Sequence, residues 1–321
     1  MKTIGNLLTG FRDFVQAVRT AISNHERWSE TFTRLLRRLT FRHDAPTTDQ
    51  STDTTHAVVY IEKQPSPSPT DPITTLIQQK TESYLSGRNL QIVEFQSAEG
   101  ENRELCQRRH LARFMVEHCD VVLPLVQALR PTLQNGRLVT WCMDEDDPDA
   151  LCVLTNVGSR MHQRFFLKHY QYHRSTLQLK MRVRNHPFAH NFISGQWFEM
   201  GVAELVRTWL RKQGYRHFLY QNLKLHCHRG AVVEIDLFLA VRVGDELRWL
   251  MLECKSGIAI SADEANQVAR ASRLLNLFGN RCAVVVPERV EPSQGTVWAE
   301  KTGTSLVGID QLGTFLCEAL R

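Results

Sequence analysis

AVVEIDLFLAVRVGDELRWLMLECKSG, residues 231–257, decides the fold. Two apolar runs flank Gly244-Asp245, a pair suited to a two-residue hairpin turn. Both runs read as strands, yet the first carries Asp236 and the second carries Glu253, with Lys255 two residues further on. Unpaired buried charge is costly, so a chain that keeps it either pairs it or uses it. If Gly244 and Asp245 are the turn, Val243 faces Glu246, and counting back sets Asp236 opposite Glu253. Facing residues on one side of a hairpin hold their Cβ atoms about 5 Å apart. Lys255 projects from the face of Glu253 because side chains alternate along a strand. Cys254, Leu252, Ile235 and Leu237 are expected on the opposite face, in apolar packing.

Two carboxylates that close repel when both are ionised. A hard divalent cation removes the conflict: Mg²⁺ takes oxygen ligands, commonly one or two carboxylates plus water and a phosphate. A lysine alongside can orient or help deprotonate the attacking water and steady charge on the phosphate. Asp, Glu and Lys so placed are what metal-dependent phosphodiester hydrolysis requires. Asp236 and Glu253 are then the ligands of Mg²⁺ or Mn²⁺, and Lys255 assists the water. Glu199, on the preceding amphipathic helix (GQWFEMGVAELVRTWLRKQGY, 195–215), can add a ligand or hold a bound water.

The flanking segments extend the pattern. HFLYQNLKLHCH (217–228) alternates like a strand. SADEANQVARASRLLNLFG (261–279) reads as a helix, capped by Ser261 and stopped by Gly279, and CAVVVP (282–287) as a closing strand. The order is α-β-β-β-α-β. Asp236…Glu253-Cys254-Lys255 on that order resembles the D…(D/E)-x-K signature of the PD-(D/E)XK nuclease superfamily, although Ile235 stands where the usual proline would. GQWFE (195–199), EIDL (234–237) and ECKSG (253–257) together resemble the Card1-like endonuclease domain of CRISPR ancillary nucleases. That resemblance covers 193–321. It implies a restriction-endonuclease-like core with Glu199, Asp236, Glu253 and Lys255 as the catalytic set, and Gln267 as a polar residue beside the site. It also implies a Rossmann-like sensor of CARF type that binds a cyclic oligoadenylate at a homodimer interface, in antiviral defence.

Upstream, residues 1–43 carry apolar stripes at helical spacing, and 44–55 (DAPTTDQSTDTT) form a polar linker. Residues 56–160 alternate strand and helix signals, including HAVVYIEK, LQIVEF, RLVTWCM and ALCVLTN as strands, and suggest a Rossmann-like α/β domain. The helix over 72–86 is well marked by Asp71, Pro72 and Gly87. No G-x-G-x-x-G, Walker A or cyclic-nucleotide motif is found there. Residues 161–192 are a basic connector rich in aromatics, either a nucleic-acid surface or a packed hairpin.

Composition bounds the partners. The 321 residues carry a net charge of +5, and 181–230 hold eight Lys or Arg against two acids, which suits a polyanion or a solvated face. Arg207, Arg211, Lys212 and Lys224 are the expected phosphate contacts, on DNA or RNA. The eight scattered cysteines include no C-x-x-C pair and are expected reduced. His226 and His228 around Cys227 supply two ligands at most, too few for structural zinc. No apolar run reaches membrane-spanning length, and the first residues lack a secretory pattern, so a cytoplasmic protein without a membrane partner is expected. Two other readings stay open: an effector-independent DNA-processing nuclease, and a non-catalytic nucleic-acid-binding protein on a retired nuclease fold.

Overall fold

The computed structural model describes residues 71–96, 103–227, 230–257 and 259–321. The expected helices of 1–43, the linker 44–55 and the strand at 56–63 lie outside the described residues. The hairpin forms as counted. β6 (Val232–Val243) and β7 (Glu246–Cys254) pair antiparallel from Val243↔Glu246 to Leu237↔Leu252. Gly244 takes φ 60°, the left-handed setting that a glycine supplies cheaply at the first turn position.

Around the hairpin, β1 (Leu90–Gln96), β5 (Arg216–Cys227), β8 (Gly279–Val286) and β9 (Thr304–Gly308) complete a six-stranded sheet in the order β1-β5-β6-β7-β8-β9. The pairs on the β1 side are antiparallel, while β7-β8 and β8-β9 are parallel. The parallel pairs need crossovers. α7 (Ala262–Leu275) supplies the first and α8 (Pro292–Thr302) the second. The short α5 (Pro187–Asn191) and then α6 (Trp197–Lys212) precede β5, so the α-β-β-β-α-β order holds from α6 onward.

Helices cover both faces of the sheet. Leu239, Val241, Leu250 and Leu252 pack toward α2 (Arg103–Glu117), α3 (Cys119–Leu129), α6 and α9 (Leu312–Ala319). Phe238, Ala240 and Met251 pack toward α1 (Pro72–Ser86) and α7. α2 and α6 approach closely at Gly201. A Cβ there would lie 2.3 Å from Val116 Cγ2 and 2.6 Å from the Ala112 carbonyl oxygen.

Ile235 does not share the face of Leu237 and Leu252. It packs with Leu223 and Leu225 on the α7 side. Asn222, opposite Asp236, has φ 48°, and there both strands break their alternation. Tyr220 and Leu223 turn to one cluster, as do Phe238 and Ile235. Such a kink re-aims a side chain, a recurrent device beside active sites.

The Rossmann-like expectation for 56–160 is not met by its described part. β1 joins the large sheet antiparallel to β5. β2 (Val139–Cys142) lies in a separate antiparallel sheet, order β2-β4-β3, with β3 (Leu167–His173) and β4 (Gln178–Val183). ALCVLTN is helical, inside α4 (Pro148–Gln163). Asp147 caps that helix by accepting from the Ala150 N–H at 2.9 Å, and Pro148 opens it. Periodicity in a short apolar run does not separate a buried strand from a buried helix, and strand direction is set by tertiary partners.

Candidate active site

The kink at Asn222 and Asp236 and the end of β7 bring the chemistry together. The Cys254 N–H donates to Asp236 Oδ2 at 2.7 Å, and the Asp236 N–H donates to Glu253 Oε1 at 3.4 Å. Each acid is thus tied to the other's strand. The Lys255 N–H donates to the Val285 carbonyl at 2.9 Å, which carries the β7-β8 pairing one residue past the strand. Its Nζ lies 4.0 Å from Glu253 Oε2 and 3.8 Å from Glu264 Oε1.

Burial sets the protonation. It pushes the buried Glu253 well above the usual carboxylate range, the Asp236 charge adds to this, and Lys255 opposes it. Asp236 is also raised by burial, against the Cys254 N–H and Lys255. Glu199, two residues into the first turn of α6, is pushed up to about 7 by burial and then by the Asp236 charge, with Lys255 opposing. Burial pulls Lys255 down, but Asp236, Glu253 and Glu264 outweigh it and hold the ammonium above its ordinary value.

Two hard oxygen donors that burial and mutual repulsion keep short of charge balance fit a divalent cation. Among the described residues no three His, Cys, Asp or Glu side chains gather as a metal cluster. Asp236 and Glu253 are the two oxygen-donor side chains that could hold such a cation.

Two residues that sequence reasoning missed hold the site's frame. Glu264 anchors Lys255 from α7. It is fixed by a capping box, accepting from the Ser261 N–H and Oγ, each at 2.8 Å. The Ser-x-x-Glu spacing was a legible signal for that cap. Arg130, in the short 3₁₀ turn Arg130–Thr132, donates to Ser256 Oγ at 2.6 Å, to the Ser256 carbonyl at 3.2 Å and to the Ile193 carbonyl at 3.4 Å. It joins the Lys255-Ser256 segment to the π-helical stretch Phe192–Gln196 that feeds α6. Such stretches recur at functional sites. A Cβ on Gly195 in that stretch would sit 3.7 Å from Glu199 Oε1. No sequence pattern points to Arg130, because its partners lie 63 and 126 residues away.

No protein-family model matches the chain, and no curated protein matches it. Among solved structures, the protein VC1899 from Vibrio cholerae is 17% identical, with a TM-score of 0.47. Can2 from Sulfobacillus thermosulfidooxidans, solved in complex with cyclic tetra-adenylate, is 12% identical with a TM-score of 0.48. Each match covers 74% of this chain and 60% of the other, so the chain spans less than two thirds of either. At these values the likeness assigns neither family nor activity.

The remaining expected site residues fall apart. Arg207 is buried, pairs with Glu204 and donates to Gln221 Oε1 at 3.2 Å beside Arg109, so it is a packing residue and no phosphate contact. Its position on α6, one turn from Ala203 and Leu210, puts it on the buried face. Lys224 is held by Glu94 across β1-β5 at 2.8 Å. Arg211 and Lys212 are exposed in the last turn of α6. Gln267 is exposed on α7, and the side chain that α7 sends to Lys255 is Glu264. His226 is exposed, and His228 lies outside the described residues. All eight cysteines are free thiols. Among the described residues no helix is long and apolar enough to cross a membrane.

The carboxylate cluster makes stability depend on pH. Glu199 has its folded pKa, about 7, above its ordinary 4.5. Below 4.5 both folded and unfolded chains hold the proton; as pH rises to 7 the unfolded chain releases it first, so folding loses stability across that window. The loss amounts to about 3 kcal/mol. In EDTA, Glu199→Gln is expected to unfold at a higher temperature than the parent at pH 8 and at nearly the same temperature at pH 4. Thermal unfolding at the two pH values checks this; a less stable Glu199→Gln at pH 8 speaks against the buried charge.

Proposed function

We propose that the chain is a metal-dependent nuclease of PD-(D/E)XK type, hydrolysing phosphodiester bonds of DNA or RNA. One observation carries the reading. Asp236 and Glu253 are hydrogen-bonded into one another's strands, with Lys255 Nζ 4.0 Å from Glu253 and the trio on an α-β-β-β-α-β core. Asp236 and Glu253 would hold the cation. A bound Mg²⁺ or Mn²⁺ supplies Lewis acidity at the scissile phosphate. Lys255 orients the attacking water and presents positive charge to the oxygens that become negative. Glu264, 3.8 Å from the Lys255 ammonium, helps hold it in place. Glu199 supports the same shell, and its burial keeps bulk water from one side.

Activation by a cyclic oligoadenylate follows from the sequence resemblance alone. An effector-independent nuclease is favoured by one observation: the described part of 56–160 builds no Rossmann-like sheet. One assay addresses both. Labelled single- and double-stranded DNA and RNA are incubated with Mn²⁺, Mg²⁺ or EDTA, with and without cyclic tetra- and hexa-adenylate. Metal-dependent cutting is expected. Cutting that needs the effector adds the sensor, and cutting without it removes the sensor. Binding without cleavage in every metal condition overturns the enzyme reading.

A further inference from the structure

The C-terminal end of α4 breaks two rules at one residue. The Phe166 N–H donates to the Met161 carbonyl at 3.0 Å and the Phe165 N–H to the His162 carbonyl at 3.1 Å. This is a Schellman ending, whose left-handed position normally belongs to glycine. Here it holds Phe165, at φ 62°. A bulky side chain in that region is strained by about 1–2 kcal/mol. The ring is not sheltered in return: Phe165 is 65% exposed. A glycine would close the same helix end without the strain and without the exposed ring.

The surroundings of Phe165 are cationic. The Arg184 guanidinium lies 5.4 Å from its ring centroid. Along β4, Leu179, Met181 and Val183 are buried, while Lys180, Arg182 and Arg184 take the other face. On β3 the register shifts between Leu167 and His169, so Lys168 is an additional residue, and both it and His169 stand exposed against Arg182. Like charges facing across strands are destabilising. Among the described residues none of Lys168, Lys180, Arg182 and Arg184 has an acidic partner. The acidic turn 144–149 sits beyond the opposite end of β4, where Cys142 pairs with Gln178. The patch has the two components of sequence-tolerant strand binding: an aromatic face for a base and a basic track for its phosphates.

We propose that Phe165, Lys168, His169, Lys180, Arg182 and Arg184 form a docking platform for single-stranded nucleic acid, outside the carboxylate site. The platform is connected to that site. Phe166 stacks on Phe192 with ring centroids 3.9 Å apart, and Phe192 opens the π-helical stretch that leads to Glu199. Seven residues of helix separate them, roughly 10 Å of rise. Phe165 is the chain neighbour of Phe166, so the platform adjoins the packed segment that leads to Glu199. The inference rests on the nuclease reading only for the class of partner.

The test is fluorescence anisotropy of the full chain in EDTA, with labelled oligo-dT, oligo-U and a duplex of equal length. The parent is expected to prefer a single strand, and the better of dT and U identifies DNA or RNA. Phe165→Gly removes the ring and relieves the backbone, so it should bind about tenfold or more weakly while its unfolding temperature stays the same or rises. Phe165→Trp should retain binding, and Arg182→Glu should weaken it and flatten its salt dependence. Phe165→Gly and Arg182→Glu proteins that bind like the parent overturn the platform, as does a duplex held as tightly as a single strand. If metal-dependent cleavage by the parent persists in that case, the platform has failed and the nuclease reading stands.

Discussion

Lys255→Met, purified in folded form, is expected to cut about a thousandfold more slowly than the parent, the scale of losing both a positioned proton-transfer group and a transition-state charge partner. Methionine keeps most of the stem's volume and loses the ammonium. The fold tolerates the change: Glu264 remains held by Ser261, and the Lys255 N–H that bonds Val285 is backbone. Asp236→Asn is expected to lose as much by another route. The amide oxygen still accepts from the Cys254 N–H, yet half of the anionic ligand set is gone. In EDTA at pH 8 that variant should be no less stable than the parent, because burial already disfavours the Asp236 charge. Cleavage rates at saturating Mn²⁺, beside circular dichroism melts, check both variants. Either one cutting like the parent while folded removes its residue from the mechanism.

The largest stability effect is expected at Gly201. In an open helix, replacing glycine by alanine gains up to about 1 kcal/mol. Here an added Cβ meets Val116 Cγ2 at 2.3 Å and the Ala112 carbonyl oxygen at 2.6 Å, so α2 and α6 must move apart. Overpacking of cores typically costs 1–3 kcal/mol. Gly201→Val, which meets backbone as well as side chain, should lose about 3 kcal/mol or more. Val116→Ala in the same chain should recover only part, since Ala112 is struck through its backbone. Glu199 lies on the same helix two residues away, so cleavage should fall as well. Denaturant unfolding measures the first effect; a Gly201→Val protein as stable as the parent shows that the helices can separate freely.

The hairpin was legible in the chain because its register depends on a local quantity. Gly244 and Asp245 set the turn, and counting from them places Asp236 beside Glu253 without knowledge of any other segment. The kink at Asn222 was not legible. It depends on one backbone angle, and it sends Ile235 to a face that strict alternation denies it. β1 reads as a strand from its own residues, but nothing in them says that its partner is β5, more than a hundred positions away. Arg207 was misread from charge alone, although its helical neighbours Ala203 and Leu210 are both buried. Phe165 is the reverse case: its sequence context is an ordinary basic, aromatic run, and only its left-handed backbone and bare ring set it apart.

The central claim is that the Asp236–Glu253 pair is a divalent-cation site. Calorimetric titration of Mn²⁺ into the parent and into Asp236→Asn at pH 8 tests it most directly. The account predicts saturable binding to the parent and its loss in the variant. Equal binding to both, or none to the parent, would contradict it.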